Sequence, residues 1–144
     1  MIIGVDPGTS GSPGGGLGIA WVSEDEEASL TMVRAPHESL AGYCCRVRDQ
    51  IEALLPPWAE GSMVVVEQPF CMPAMMGVGM RLSRVVGVVE EISERMGATV
   101  VGVAPSQLRS ANGVKAKGKA GKAQMINAMK ARGHRPANEH EADA

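Results

Sequence analysis

Two apolar stretches of this 144-residue chain end in a carboxylate where the chain must turn. Met63-Val64-Val65-Val66-Glu67-Gln68-Pro69-Phe70 carries three consecutive valines and reads as a strand buried on both faces, closed by Glu67. Met1-Ile2-Ile3-Gly4-Val5-Asp6 has the same form, with Pro7-Gly8 after the acid. A buried carboxylate without a partner is costly, so it neutralises or binds a cation. A third acidic cluster, Glu139-His140-Glu141-Ala142-Asp143, lies at the end of the sequence. These three places are expected to converge on divalent metal ions. Oxygen ligands with one imidazole suit Mg2+ or Mn2+ better than structural zinc. Two such ions about 3.5–4 Å apart stabilise the attacking and leaving oxygens of phosphodiester hydrolysis.

Each candidate also has a plainer reading. An Asp before Pro-Gly is an ordinary turn former, whereas nothing near Glu67 in sequence would neutralise it. His140 and Glu139 precede Asp143 by three and four residues, so either shares its face on a helix. Glu141 fits a capping role after Asn138. His37 and His134 read as structural or surface histidines.

Charge is distributed unevenly. The net charge is −2, but residues 1–108 carry −7, residues 109–135 carry +8 and no acid, and the last nine carry −3. A concentrated basic segment beside acidic ligands attracts phosphate. Arg109, Lys115, Lys117 and Lys119 are its candidate nucleic-acid contacts, although a lysine run is also what a solvated loop looks like. Gly14-Gly15-Gly16 matches neither a P-loop nor a dinucleotide fingerprint and reads as a hairpin turn. The three cysteines are odd in number and form no CxxC pair, so neither a disulfide framework nor a zinc site is suggested. No apolar run is long enough to span a bilayer and no signal peptide is visible, so a cytoplasmic protein is expected.

The elements that must position these residues follow from periodicity. Strands are expected at 2–6, 17–23, 28–34, 63–67 and 98–103, with an acidic turn at Glu24–Glu27. Helices are expected at 39–55, 78–96, 105–111 and 122–132, with a basic Gly/Lys loop over 112–121 and Gly133 as a stop. A Met-rich connection over 71–77 precedes the second helix. The order β-β-β-α-β-α-β-α makes an α/β domain, a mixed sheet with helices on its faces. A single domain is expected, lacking the end of a C-terminal helix that has barely begun at Ala144.

With these residues in place, the chain resembles the RuvC-like Holliday junction resolvases of the ribonuclease-H-like superfamily. Ile3-Gly4-Val5-Asp6-Pro7-Gly8 resembles the family's first metal-site strand, and Gly16-Leu17-Gly18-Ile19 its second strand. Val66-Glu67-Gln68-Pro69-Phe70 resembles the second acidic motif. Val103-Ala104-Pro105-Ser106-Gln107 and Gly118-Lys119-Ala120-Gly121-Lys122-Ala123-Gln124 resemble the later strand-to-helix and lysine motifs. His140-Glu141-Ala142-Asp143-Ala144 resembles the terminal acidic helix.

The resemblance implies a five-stranded ribonuclease-H-like sheet with helices on both faces. It implies a homodimeric, Mg2+- or Mn2+-dependent endonuclease that cuts branched DNA. Asp6, Glu67 and Asp143 would be metal ligands, Asp6 bridging, and His140 would fill a position that is Asp in many members. Lys122 would lie near the scissile phosphate and Phe70 would stack on a base. The helix over 78–96 would be the dimer helix, with Val78, Leu82, Val85, Val86 and Val89 as a broad apolar surface. Two departures stand out. The turn between Gly8 and Gly18 is long, and Gly121 replaces a common Asp. Both suit a phage-encoded or divergent member. Alternatives from the same residues are a nuclease processing structured RNA and a non-catalytic junction binder.

Overall fold

Alternation along the strands sorts the apolar residues of this chain onto one side of a sheet. The computed structural model describes residues 1–9, 16–55, 60–69, 75–116 and 118–134. Among these, strands β1 (Ile2–Asp6), β2 (Leu17–Val22), β3 (Glu27–Met32), β4 (Met63–Glu67) and β5 (Thr99–Val103) form one sheet in the order β3-β2-β1-β4-β5. β1, β2 and β3 pair antiparallel, whereas β4 runs parallel to β1 and β5 parallel to β4. The result is an α/β fold with a mixed sheet, β1 at its centre.

Helices α1 (Leu40–Leu54) and α2 (Met76–Arg95) cover one face. Ile3, Val5, Leu17, Ile19, Val64 and Val66 point into that layer, where Tyr43, Val47 and Ile51 of α1 and Val85, Val89 and Ile92 of α2 meet them. Full burial of such a side chain stabilises by about 1.5–3 kcal/mol. The opposite face of β4 is less covered than three valines suggest. Val65 is half-buried and Met63 is exposed, so the strand is not buried on both sides among the described residues.

Helices α3 (Pro105–Ala111) and α4 (Gly118–Ala131) build a second, smaller core around Val114 and Met125, with Leu108, Ile126 and Met129 packed against them. They flank the cleft into which the other face of β1 and β4 points. At the far end of α4, His134 meets Glu27 at the start of β3.

Three expectations need correction. The basic segment is not a loop up to Gly121, because α4 begins at Gly118. The segment before it is tied to its second turn: the Gln124 side-chain oxygen accepts from the N–H groups of Lys115 (3.2 Å) and Ala116 (3.1 Å). The apolar surface assigned to a partner is largely internal. Val85, Val86 and Val89 are 0%, 4% and 0% exposed in this chain's own core. Val78 and Leu82 are half-buried, and the exposed apolar residues at this end of α2 are Met75, Met76 and Met80. The acidic turn is also shorter than expected, since Glu27 already belongs to β3 and pairs with Val22. No helix among the described residues is long and apolar enough to cross a membrane.

One side chain ties α1 to the hairpin that flanks β1. The buried Tyr43 hydroxyl donates to the Met32 carbonyl (3.0 Å) and accepts from the Leu17 N–H (3.3 Å). Leu17 and Met32 are register partners where β2 begins and β3 ends. Burial pushes the Tyr43 phenol up to about 12 from its ordinary 10.0. Tyr43→Phe is expected to cost about 1–3 kcal/mol, because it strands the Leu17 N–H. A raised native value means that the contribution is complete below pH 10 and lost as pH climbs to about 12. Urea unfolding from neutral to strongly alkaline pH should therefore show a steeper loss in the wild type than in Tyr43→Phe.

Candidate active site

Strand register brings two carboxylates together. The parallel pairs run from Ile2↔Met63 to Val5↔Val66, which leaves Asp6 and Glu67 at the next position of each strand. Neighbouring strands lie about 4.8 Å apart. One residue back, Val5 and Val66 are buried under the helices, so alternation turns both acids to the other face. Asp6 is 8% exposed and Glu67 is half-buried. Gly18 stands opposite Asp6 and adds no side chain there.

A cleft of about 240 Å³ opens over these acids. From α3 come Pro105, Leu108 and Arg109, and from α4 come Gly118, Gly121, Lys122 and Met125. Local sequence explains why these helices stand at the strand ends. β5 leads through Ala104 into Pro105 at the first helical position, and the Gln107 side chain accepts from the Ala104 N–H (2.8 Å). Arg132 donates to the Asn112 side chain and to the Ala111 carbonyl, locking the end of α4 to the end of α3. The cleft therefore has an acidic floor and two cationic side chains in its wall. Adjacent carboxylates repel when ionised, and a divalent cation between them relieves that repulsion. An all-oxygen pair is a hard donor set that fits Mg2+ or Mn2+.

The structure thus gathers Asp6, Glu67, Arg109 and Lys122 from four separate elements. Lys115 and Lys119 are exposed nearby in sequence but do not line the cleft. Phe70, Lys117, His140 and Asp143 lie outside the described residues, as does Glu139. Among the described residues, no third His, Cys, Asp or Glu joins the two acids in a group able to hold a metal. Pro105, Leu108 and Met125 were not singled out for the site. Apolar residues on a helix carry no chemical signature, and only the folded chain shows that they form its wall.

Two solved structures of RuvC superpose on nearly the whole chain. RuvC of T. thermophilus in complex with Holliday junction substrate matches with a TM-score of 0.69 at 20% identity, covering 99% of this chain and 86% of that one. The fold is that of RuvC. A second structure, Thermus thermophilus RuvC, matches with a TM-score of 0.65 at 19% identity, covering 99% of this chain and 87% of that one. No protein-family model and no curated protein matches the sequence. The RuvC fold is ribonuclease-H-like, and it accounts for the mixed sheet and its strand directions. At such low identity, the chemistry must be argued from the side chains.

Gly121 shows how closely one wall is built. A Cβ there would come within 2.5 Å of the Ala116 carbonyl oxygen and 3.1 Å of its carbon. Neither backbone atom can yield easily. Gly121→Ala is therefore expected to lower stability by about 1–3 kcal/mol, as overpacking does. A thermal melt checks this, and an unchanged midpoint would contradict the close approach.

Proposed function

We propose that this chain is a metal-dependent, structure-selective endonuclease that cuts Holliday junctions and related branched DNA in recombination and repair. The observation that carries the reading is the pairing of Asp6 with Glu67 at neighbouring strand ends, under a wall that includes Arg109 and Lys122. The RuvC fold, and a neighbour in complex with Holliday junction substrate, support the choice of branched DNA.

Asp6, bridging, and Glu67 would hold two Mg2+ or Mn2+ ions, with Asp143 and His140 completing the ligand set. When bound, the ions stabilise charge on both oxygens of an in-line hydrolysis that leaves 5′-phosphate and 3′-hydroxyl ends. Chain reach supports the role of Asp143. His134 meets Glu27 at the opposite end of the sheet from Asp6, and nine positions separate it from Asp143. At about 3.3 Å per extended residue, that span is ample to return along a five-residue strand. The central strand holds Asp6 in place before any ligand arrives, so little reorganisation is needed. Lys122 sets its ammonium against the scissile phosphate, and Arg109 steadies the neighbouring backbone. Lys115, Lys117 and Lys119 attract flanking phosphates, and Phe70 stacks on a base at the crossover. Two copies joined through the exposed side of the helix over 78–96, where Met80 stands beside half-buried Val78 and Leu82, would present one cleft to each half of a junction. Such an enzyme acts in the cytoplasm of a bacterium or of a phage's host.

The test is cleavage of a mobile four-way DNA junction with and without Mn2+. Asp6→Asn should keep junction affinity and lose at least about a hundredfold in cleavage rate, the scale of removing one charge-stabilising group. Unchanged cutting by Asp6→Asn would end the reading. Cleavage confined to structured RNA would favour RNA processing. Junction binding without uptake of divalent ions at millimolar concentration would make the protein a binder. Lys122→Ala should lower kcat by about tenfold or more while leaving metal uptake intact.

A further inference from the structure

Resting on that reading, we infer that Gln68 and Glu90 are positioning residues that aim Glu67 into the cleft from the opposite face of the sheet. β4 ends at Glu67, and the next two residues are Gln68 and Pro69. Proline brings no N–H to continue a ladder. A strand end in this state is free to twist unless something else ties it. Gln68 provides two ties. Its backbone N–H donates to the Val103 carbonyl (2.8 Å), extending the β4–β5 ladder by one rung. Its side-chain Nε2 donates to Glu90 Oε1 on α2 (3.0 Å).

The path of that side chain is prepared. Val66 pairs with Gly102 on the helix-covered face, and Gln68, two residues on, points to the same face. Gly102 has no side chain, and the Gln68 amide fills the space. A Cβ at 102 would meet Gln68 Nε2 at 2.6 Å, Cγ at 3.0 Å and Cδ at 3.1 Å. Three elements, β4, β5 and α2, therefore fix the residue after Glu67. Since successive strand residues point to opposite faces, holding Gln68 toward α2 holds Glu67 toward the cleft. The acceptor is a carboxylate, which makes the tether stronger than a neutral hydrogen bond.

The test uses the full chain and separates tether from chemistry. Glu90→Ala removes the acceptor and Gln68→Glu sets two carboxylates against each other. Each is expected to weaken Mn2+ binding, measured by calorimetry with the metal alone, by about tenfold or more. Junction cleavage should lose kcat with KM unchanged. The double variant Q68E/E90Q reverses donor and acceptor and should return Mn2+ affinity to within about threefold of wild type. Gly102→Ala displaces the amide and should resemble Glu90→Ala. Amide exchange of the Gln68 N–H, read without metal, should quicken in the single variants and slow again in the double. A contact that only stabilised the fold would lower the melting point and leave Mn2+ affinity untouched. Wild-type and variant proteins with equal Mn2+ affinity, or a double variant that fails to recover, overturn the inference. Wild-type protein that takes up no Mn2+ overturns the nuclease reading instead, and the exchange data then still show whether the tether exists.

Discussion

The parallel, in-register pairing of β1 with β4 is the constraint on which the rest of this molecule depends. It is a backbone fact before it is a chemical one. Two apolar strands of matched length, each closed by an acid, lie side by side with Ile2 against Met63. Once that register is set, the period of two decides everything else about Asp6 and Glu67. A slip of one residue on either strand would send its acid into the layer formed with α1 and α2. That layer is made of fully buried valine and isoleucine and would strongly resist a charge. Burial of Val5 and Val66 and exposure of the two acids to the cleft are thus one event seen from both sides.

Much of this was legible in the chain itself. The strands are short apolar runs bounded by Gly, Pro and charge, and each was expected within two residues of where it lies. Ser39 before the first helix and Gly133 after the last are punctuation that local physics reads well. The start of α4 was not legible, because Gly118-Lys119-Ala120-Gly121 has the composition of a loop. It is continuous with the helix through Ala131, and the Gln124 side chain folds the preceding Lys115 and Ala116 back against that helix. The orientation of α2 was also hidden. Its valines recur often enough to suit several faces, and only the position of the sheet decides that Val85, Val86 and Val89 turn inward.

The candidate site divides along the same line. That Asp6 and Glu67 close apolar strands can be read directly. That they are neighbours cannot, since sixty-one positions separate them and register is a tertiary property. Lys122 and Arg109 stood out by charge, but they share a wall only because Leu108, Val114 and Met125 pack into a small core beneath them. Making α4 helical from Gly118 also changes what its lysines are. Lys119 and Lys122 stand three apart on a helix, one above the other, rather than scattered along a flexible stretch.

The tight seat of Gly121 bears on descent as well as on stability. Where a related protein carries a side chain at this position, its 114–116 segment must follow another route, since a methyl group alone would strike Ala116. The two characters are therefore bound to change together. A lineage passing from one arrangement to the other would cross a poorly stable intermediate if it altered either first. That barrier would help to preserve the glycine once acquired.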